Sequence, residues 1–177
     1  MKTKYFVALI TALVICGGLA IAYVFAILAN VDPKIYTSSA SSSEIVLPPS
    51  SDQVEAKLNE FRKQKGLAVF NTEVPALDKA AQARADDMCA TNDWSHAKDW
   101  QVLDQYYSYT YAGENLYYGS LQKDQVSDAI TTWANSPSHL QNMVADYAQV
   151  GIGVKSCPGF QGSDDAVIIT NYFGVPR

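Results

Sequence analysis

The sequence predicts an α+β domain held outside a membrane by one transmembrane helix. Three observations predict this. An uncharged apolar run spans Tyr5–Leu28. After a serine-rich stretch, apolar residues recur at helical spacing as far as Trp133. Then two strand-like runs follow, "YAQVGIGVKSC" and "DAVIITNYFG", separated by the hairpin-like "PGFQGSD". Helices early and an antiparallel pair late argue against a doubly wound sheet.

Residues 1–4 form a short N-terminus carrying Lys2 and Lys4. As a helix, residues 5–28 would be about 36 Å long, enough to cross a hydrocarbon core of about 30 Å. The lysines before the span, against a balanced Asp32 and Lys34 after it, place the N-terminus inside and the rest outside. An uncleaved signal-anchor at the cell membrane is therefore expected. The competing reading is a long signal peptide, shortened by Gly17–Gly18, although "AILAN" is a poor cleavage site. Cys16 follows a bulky Ile15, which disfavours lipid attachment, so it reads as an apolar filler. Residues 29–51, with "YTSSASSSEIVLPPSS", contain too little to bury and read as a flexible linker.

Residues 52–177 remain as the extracytoplasmic domain. It holds 10 Lys+Arg against 16 Asp+Glu, a net charge of −6, which excludes nucleic acid as a partner. Asp52-x-x-Glu55 reads as a capping box for a first helix whose stripe is Val54, Leu58 and Phe61 and which stops at Gly66. Pro75 opens a second helix with Leu77, Ala81, Arg84 and Met88 on one face; it fades at Thr91–Asn92. "QVLDQYYSYTYAGENLYYGS" reads as irregular and tyrosine-rich. Val126, Ala129, Ile130 and Trp133 mark a third helix ended by Pro137, and "SHLQNMV" fits one or two further turns. In the first strand Gly151 and Gly153 leave one face bare, so another element is expected to pass close to its backbone. Cys89 and Cys157, outside the cell, invite one disulfide; two buried free thiols are the alternative.

The chemistry is sparse. There is no G-x-S-x-G, H-E-x-x-H, C-x-x-C or phosphate-binding glycine loop. The chain has only two histidines, His96 and His139, each preceded by a serine. With Glu114 they can form two imidazoles and a carboxylate, a set able to hold a zinc-like ion or to act as a base–acid pair. Packing, capping or turn roles for these residues stay open on spacing alone. Tyr106, Tyr107, Tyr109, Tyr111, Tyr117 and Tyr118 either line a groove for a sugar or peptide or cover a core.

The order "LNEFRKQKGL … VPALDKAAQARADDM … DWSH … GENL … WANSPSHLQNMV … YAQVGIGV … ITNYFG" resembles the CAP superfamily, also called SCP-like. The resemblance covers nearly all of residues 52–174 and is most similar to short bacterial members. It implies a three-layer α-β-α sandwich around a small antiparallel sheet, with a cleft lined by two histidines and, in many members, two acidic residues. It implies that His96 and His139 are the histidines, Glu114 the acid of G-E-N with Asn115 beside it, and Ser136 the occupant of the position where W-x-x-E carries a second acid. One divalent ion, bound weakly because Ser136 brings no charge, is the cofactor so implied.

The function expected is an anchored extracellular binding module with a metal-capable His/Glu cleft. Its ligand would be a peptide, glycan or lipid. A hydrolase using Glu114 or a histidine is the second expectation, and a small-lipid or sterol carrier the third.

Overall fold

A computed structural model describes residues 45–71, 73–122 and 124–177. The expected span Tyr5–Leu28, and the linker as far as Glu44, lie outside the described residues. Among the described residues no helix is long and apolar enough to cross a membrane.

Helix α1 (Ser51–Gln64) starts earlier than the capping box expected at Asp52. Its cap is Ser50, whose hydroxyl accepts from the Gln53 amide while the Gln53 side chain returns to the Ser50 N–H. Pro48 and Pro49 fix an extended approach up to that cap. Asp52 instead sits in the first turn, where it favours the helix dipole. Helix α2 (Pro75–Thr91) starts at its proline and ends where Asn92 turns left-handed, both as expected.

The tyrosine-rich stretch is the main correction. It begins inside a short helix, α3 (Asp99–Leu103), and ends in a long strand, β1 (Tyr109–Ser120). Five consecutive strand residues, Gly113–Tyr117, are buried, and two of them, Glu114 and Asn115, are polar. Polar residues facing inward on both sides of the strand hide the period-two pattern by which strands are recognised. Pro137 also does more than end a helix. Helix α4 (Gln125–Asn135) stops before it, and the proline is the first residue of α5 (Pro137–Val144).

Strands β2 (Gln149–Ser156) and β3 (Ala166–Pro176) complete a three-stranded antiparallel sheet of order β1-β3-β2, where a pair was expected. Glu114 pairs with Tyr172 and Asn115 with Asn171; Gly151 also pairs with Tyr172. Helices cover both faces. Val54, Leu58, Ile130, Trp133 and Met143 from α1, α4 and α5 pack on Val167, Ile169 and Phe173 of β3. On the other face α2 sets Leu77, Ala81 and Met88 against Tyr172, Ile168 and Leu116.

Two glycines make the α2 contact possible. A Cβ on Gly151 would lie 2.3 Å from the Leu77 carbonyl carbon, and one on Gly153 would lie 2.3 Å from that of Ala81. The bare face of β2 is thus pressed against the α2 backbone. Asp78 and Gln82 on α2 accept from the Ile152 and Val154 amides. Thr170 Oγ1 donates to the Ala81 carbonyl at 2.6 Å. Cys89 and Cys157 form the expected disulfide across a separation of 68 residues, tying the end of α2 to the end of β2.

Candidate functional site

Glu114 is the centre of the site. Its neighbours in β1 direct it to the α2 face, where it is 6% exposed. Arg84, on the buried face of α2, donates from Nε to Glu114 Oε1 at 3.0 Å. The same guanidinium donates to the Ser95 carbonyl, and Asp87 lies 3.7 Å from its Nη1. Arg84 thereby fixes the loop after α2, and with it the position of His96. His96 Nδ1 lies 2.6 Å from Glu114 Oε2. An ionised carboxylate only accepts, so Nδ1–H donates and Nε2 is the free nitrogen.

His139 approaches from the opposite layer. Asn115 Nδ2 donates to the His139 carbonyl at 3.1 Å. Asn142, one turn further along α5, donates to the Glu114 carbonyl at 3.1 Å and to Asn115 Oδ1 at 2.9 Å. Trp133 Nε1 donates to the Leu116 carbonyl at 2.9 Å. These side chains take up carbonyls of β1, an edge strand, and so protect that edge from pairing with another chain. Gly113 gives α5 room: a Cβ there would lie 2.5 Å from the Tyr147 hydroxyl and 2.7 Å from Asn142 Oδ1.

The two imidazoles therefore meet around the edge of β1, with ring centres 6.2 Å apart. They flank a cavity of about 340 Å³ also lined by Asp99, Trp100, Tyr111 and Ser138. Their ionisation diverges. The hydrogen bond to Glu114 raises the pKa of His96 above its ordinary value, against a smaller opposing effect of burial. Burial, reinforced by neighbouring His96, lowers that of His139. His139 Nδ1 is buried without a hydrogen-bond partner in the described structure.

Asp99 was not picked out by sequence reasoning. It opens α3 three residues after His96, and one ligand atom each from His96, Asp99 and Glu114 lie within 4.8 Å of one another. Burial raises the Asp99 pKa, partly countered by the Trp100 amide bonded to its carboxylate. Tyr172 secures the same turn by donating to the Asp99 carbonyl at 2.7 Å. Arg84 was read only as one member of a helix face. Its signal was a charge within an alanine-rich apolar stripe, which demands a buried partner. Ser136 is the N-cap residue of α5, with its hydroxyl 3.4 Å from that of Ser138, and Ser138 rather than Ser136 lines the cavity. Asn115 is fully buried, bracing His139 from behind.

A family model of the CAP domain, the cysteine-rich secretory protein family, matches residues 56–173. The chain belongs to this family. Solved structures agree on the fold. An outer surface protein from Borrelia burgdorferi superposes with a TM-score of 0.57 at 20% identity, covering 75% of this chain and 100% of that one. An SCP-domain extracellular protein from Bacillus anthracis str. Ames gives 0.53 at 21%, covering 70% of this chain and 39% of its own. A cysteine-rich secretory protein from Staphylococcus aureus subsp. aureus Mu50 gives 0.55 at 17%, covering 70% and 37%. This CAP chain thus spans well under half the length of the last two. No curated protein sequence matches it.

Proposed function

We propose that this CAP domain is an extracytoplasmic binding module whose cleft engages its ligand at a weakly held divalent ion. The observation that carries the reading is the convergence of His96, Asp99 and Glu114 within 4.8 Å at a cavity that His139 also lines. The donor set fits such an ion. Glu114 already accepts from Arg84 and His96, so its main role is to orient His96 and leave Nε2 toward the ion. Asp99 supplies the charge that Ser136 does not, from a different element. His139, kept neutral by burial, is ready as a further nitrogen ligand. Nitrogen and oxygen donors together suit a zinc-like ion. The apolar segment Tyr5–Leu28 supports anchorage at the cell membrane with this domain outside.

Calorimetry of the metal-stripped full chain with zinc alone at about pH 7.5, where most ordinary imidazoles are neutral, tests this. One weak site is expected, lost in His96→Ala and weakened in Asp99→Asn and His139→Ala. Absence of zinc binding, or binding indifferent to His96, would overturn it. A second reading is a hydrolase. The divergent pKa values of His96 and His139 are what a proton donor and acceptor on either side of a scissile bond require. Turnover of any peptide or ester substrate that vanishes in folded Glu114→Gln would favour it over the binding module.

A further inference from the structure

A larger cavity, about 640 Å³, lies beside the cleft and is lined by Asp104, Gln105, Tyr106, Tyr107, Tyr109 and Arg177. The two are joined by aromatic rings. Trp100 lines the cleft, and its ring centre is 6.2 Å from that of Tyr109 in the larger cavity. Tyr109 in turn stacks on Tyr107 at 6.3 Å. The outer faces of this track are open: Trp100 is 42% exposed, Tyr106 43% and Tyr111 57%. Several large aromatics exposed along two cavities linked by the Trp100–Tyr109 contact differ from scattered surface residues and mark a binding surface.

The polar groups say what kind of ligand fits. Asp104 accepts from the Tyr109 hydroxyl through Oδ1, which leaves Oδ2. Arg177 donates from Nε to the Tyr109 carbonyl, which leaves both terminal guanidinium nitrogens. Among the described residues Asp104 and Arg177 form no ion pair with each other. An acceptor of one charge and a donor of the other over one floor of tyrosine give the cavity no net preference for an anion or a cation. They suit a neutral ligand that donates and accepts at neighbouring atoms. The net charge of −6 on residues 52–177 likewise disfavours polyanions.

From this juxtaposition we propose that the track from Tyr106 through Tyr109 and Trp100 to the cleft binds a neutral, N-acetylated, equatorially linked oligosaccharide. Pyranose rings present C–H faces to the aromatic rings, and Tyr and Trp offer rigid amphipathic surface with little ordering cost. The acetamido carbonyl accepts from Arg177, its N–H donates to Asp104, and its methyl rests on tyrosine. Equatorial linkages give a flat, extended ribbon, the shape needed to run from one cavity to the other. The site does not depend on the metal reading.

The test is calorimetry of the full chain with chitohexaose, in EDTA and in a detergent without a sugar headgroup. EDTA makes a failure of the zinc site distinguishable from a failure of this one. Saturable binding is expected, weakened about tenfold or more by Trp100→Ala and by Tyr106→Ala, as for anchoring aromatics elsewhere. Both residues are exposed, so both variants should fold, and circular dichroism verifies it. Cellohexaose, lacking the acetamido group, should bind more weakly, and Arg177→Ala should narrow the gap between the two sugars. No saturable heat with chitohexaose, equal binding of cellohexaose, or binding unchanged in both aromatic variants would overturn the proposal. So would tighter binding of oligoproline on the same residues, which would make the track a peptide groove.

Discussion

The two edges of the sheet are built in opposite ways. At β2 the neighbour is the backbone of α2, admitted by Gly151 and Gly153 and tied by the Cys89–Cys157 disulfide. At β1 the neighbours are side chains: Arg84 and His96 reach Glu114 from one layer, and Asn142 reaches its carbonyl from the other. The first edge is a close contact between main chains, with Asp78 and Gln82 taking up its free amides. The second is a buried polar network centred on Glu114, in which His139 Nδ1 is left without a hydrogen-bond partner among the described residues. The first edge depends on close main-chain packing, and the second on charged and polar side chains. The difference comes from residue type at a few positions, because both edges belong to the same small sheet.

Breaking the polar edge has the largest expected effect. Arg84→Ala takes the guanidinium from the buried Glu114 carboxylate, leaving it only His96, and should cost about 3–5 kcal/mol, the range for removing one partner of a buried pair. Denaturant unfolding measures it, and Glu114→Gln in the same background should recover part of the loss. The close edge comes next. Gly153→Val drives a side chain into the Ala81 carbonyl and should cost about 3 kcal/mol, the upper end of ordinary overpacking, because the obstacle is main chain. An unchanged melting curve would mean that β2 and α2 are further apart than described.

The smallest effect separates the histidines. His96, raised by Glu114, contributes stability that is full below about pH 6.5 and is lost as pH rises through its folded pKa. His139, lowered by burial, contributes stability that is full above about pH 6.5 and is lost as pH falls through its folded pKa. The cost of His96→Ala should therefore grow toward acid and that of His139→Ala toward neutral pH. Each is expected to stay under about 1 kcal/mol, since the His96 side chain is half exposed and solvent screens it. Proton NMR of the two imidazoles in the native chain, and again in urea, should show the values on opposite sides of the ordinary one converging when unfolded.

The sequence foretold the close edge better than the polar one, for physical reasons. Gly151 and Gly153 alternate with Val150 and Ile152, and that pattern admits few explanations besides an approaching backbone. The same holds for Pro75 and for the Trp133 stripe, each a local signal. The polar edge depends on residues that meet only after folding. Arg84, Ser95 and Glu114 belong to a helix, a loop and a strand, and no spacing announces their contact. Glu114 and Asn115 were placed at the cleft by the family resemblance, yet the strand beneath them was not recognised. Asp99 was missed because the resemblance directs attention to the position of Ser136, whereas this chain brings its second carboxylate from beside His96.

The strand order has a consequence for synthesis. Within the sheet both β1 and β2 pair with β3, which is the last of the three to leave the ribosome. Until β3 emerges, β1 has no ladder partner and Glu114 has no sheet to hold it against Arg84. A nascent chain can form its early helices, but pairing over long sequence separations is slow and comes late. The cleft therefore cannot be complete until that central strand lies between its two neighbours. A chain released before that point would carry every side chain of the site, His139 included, without a sheet on which to assemble them.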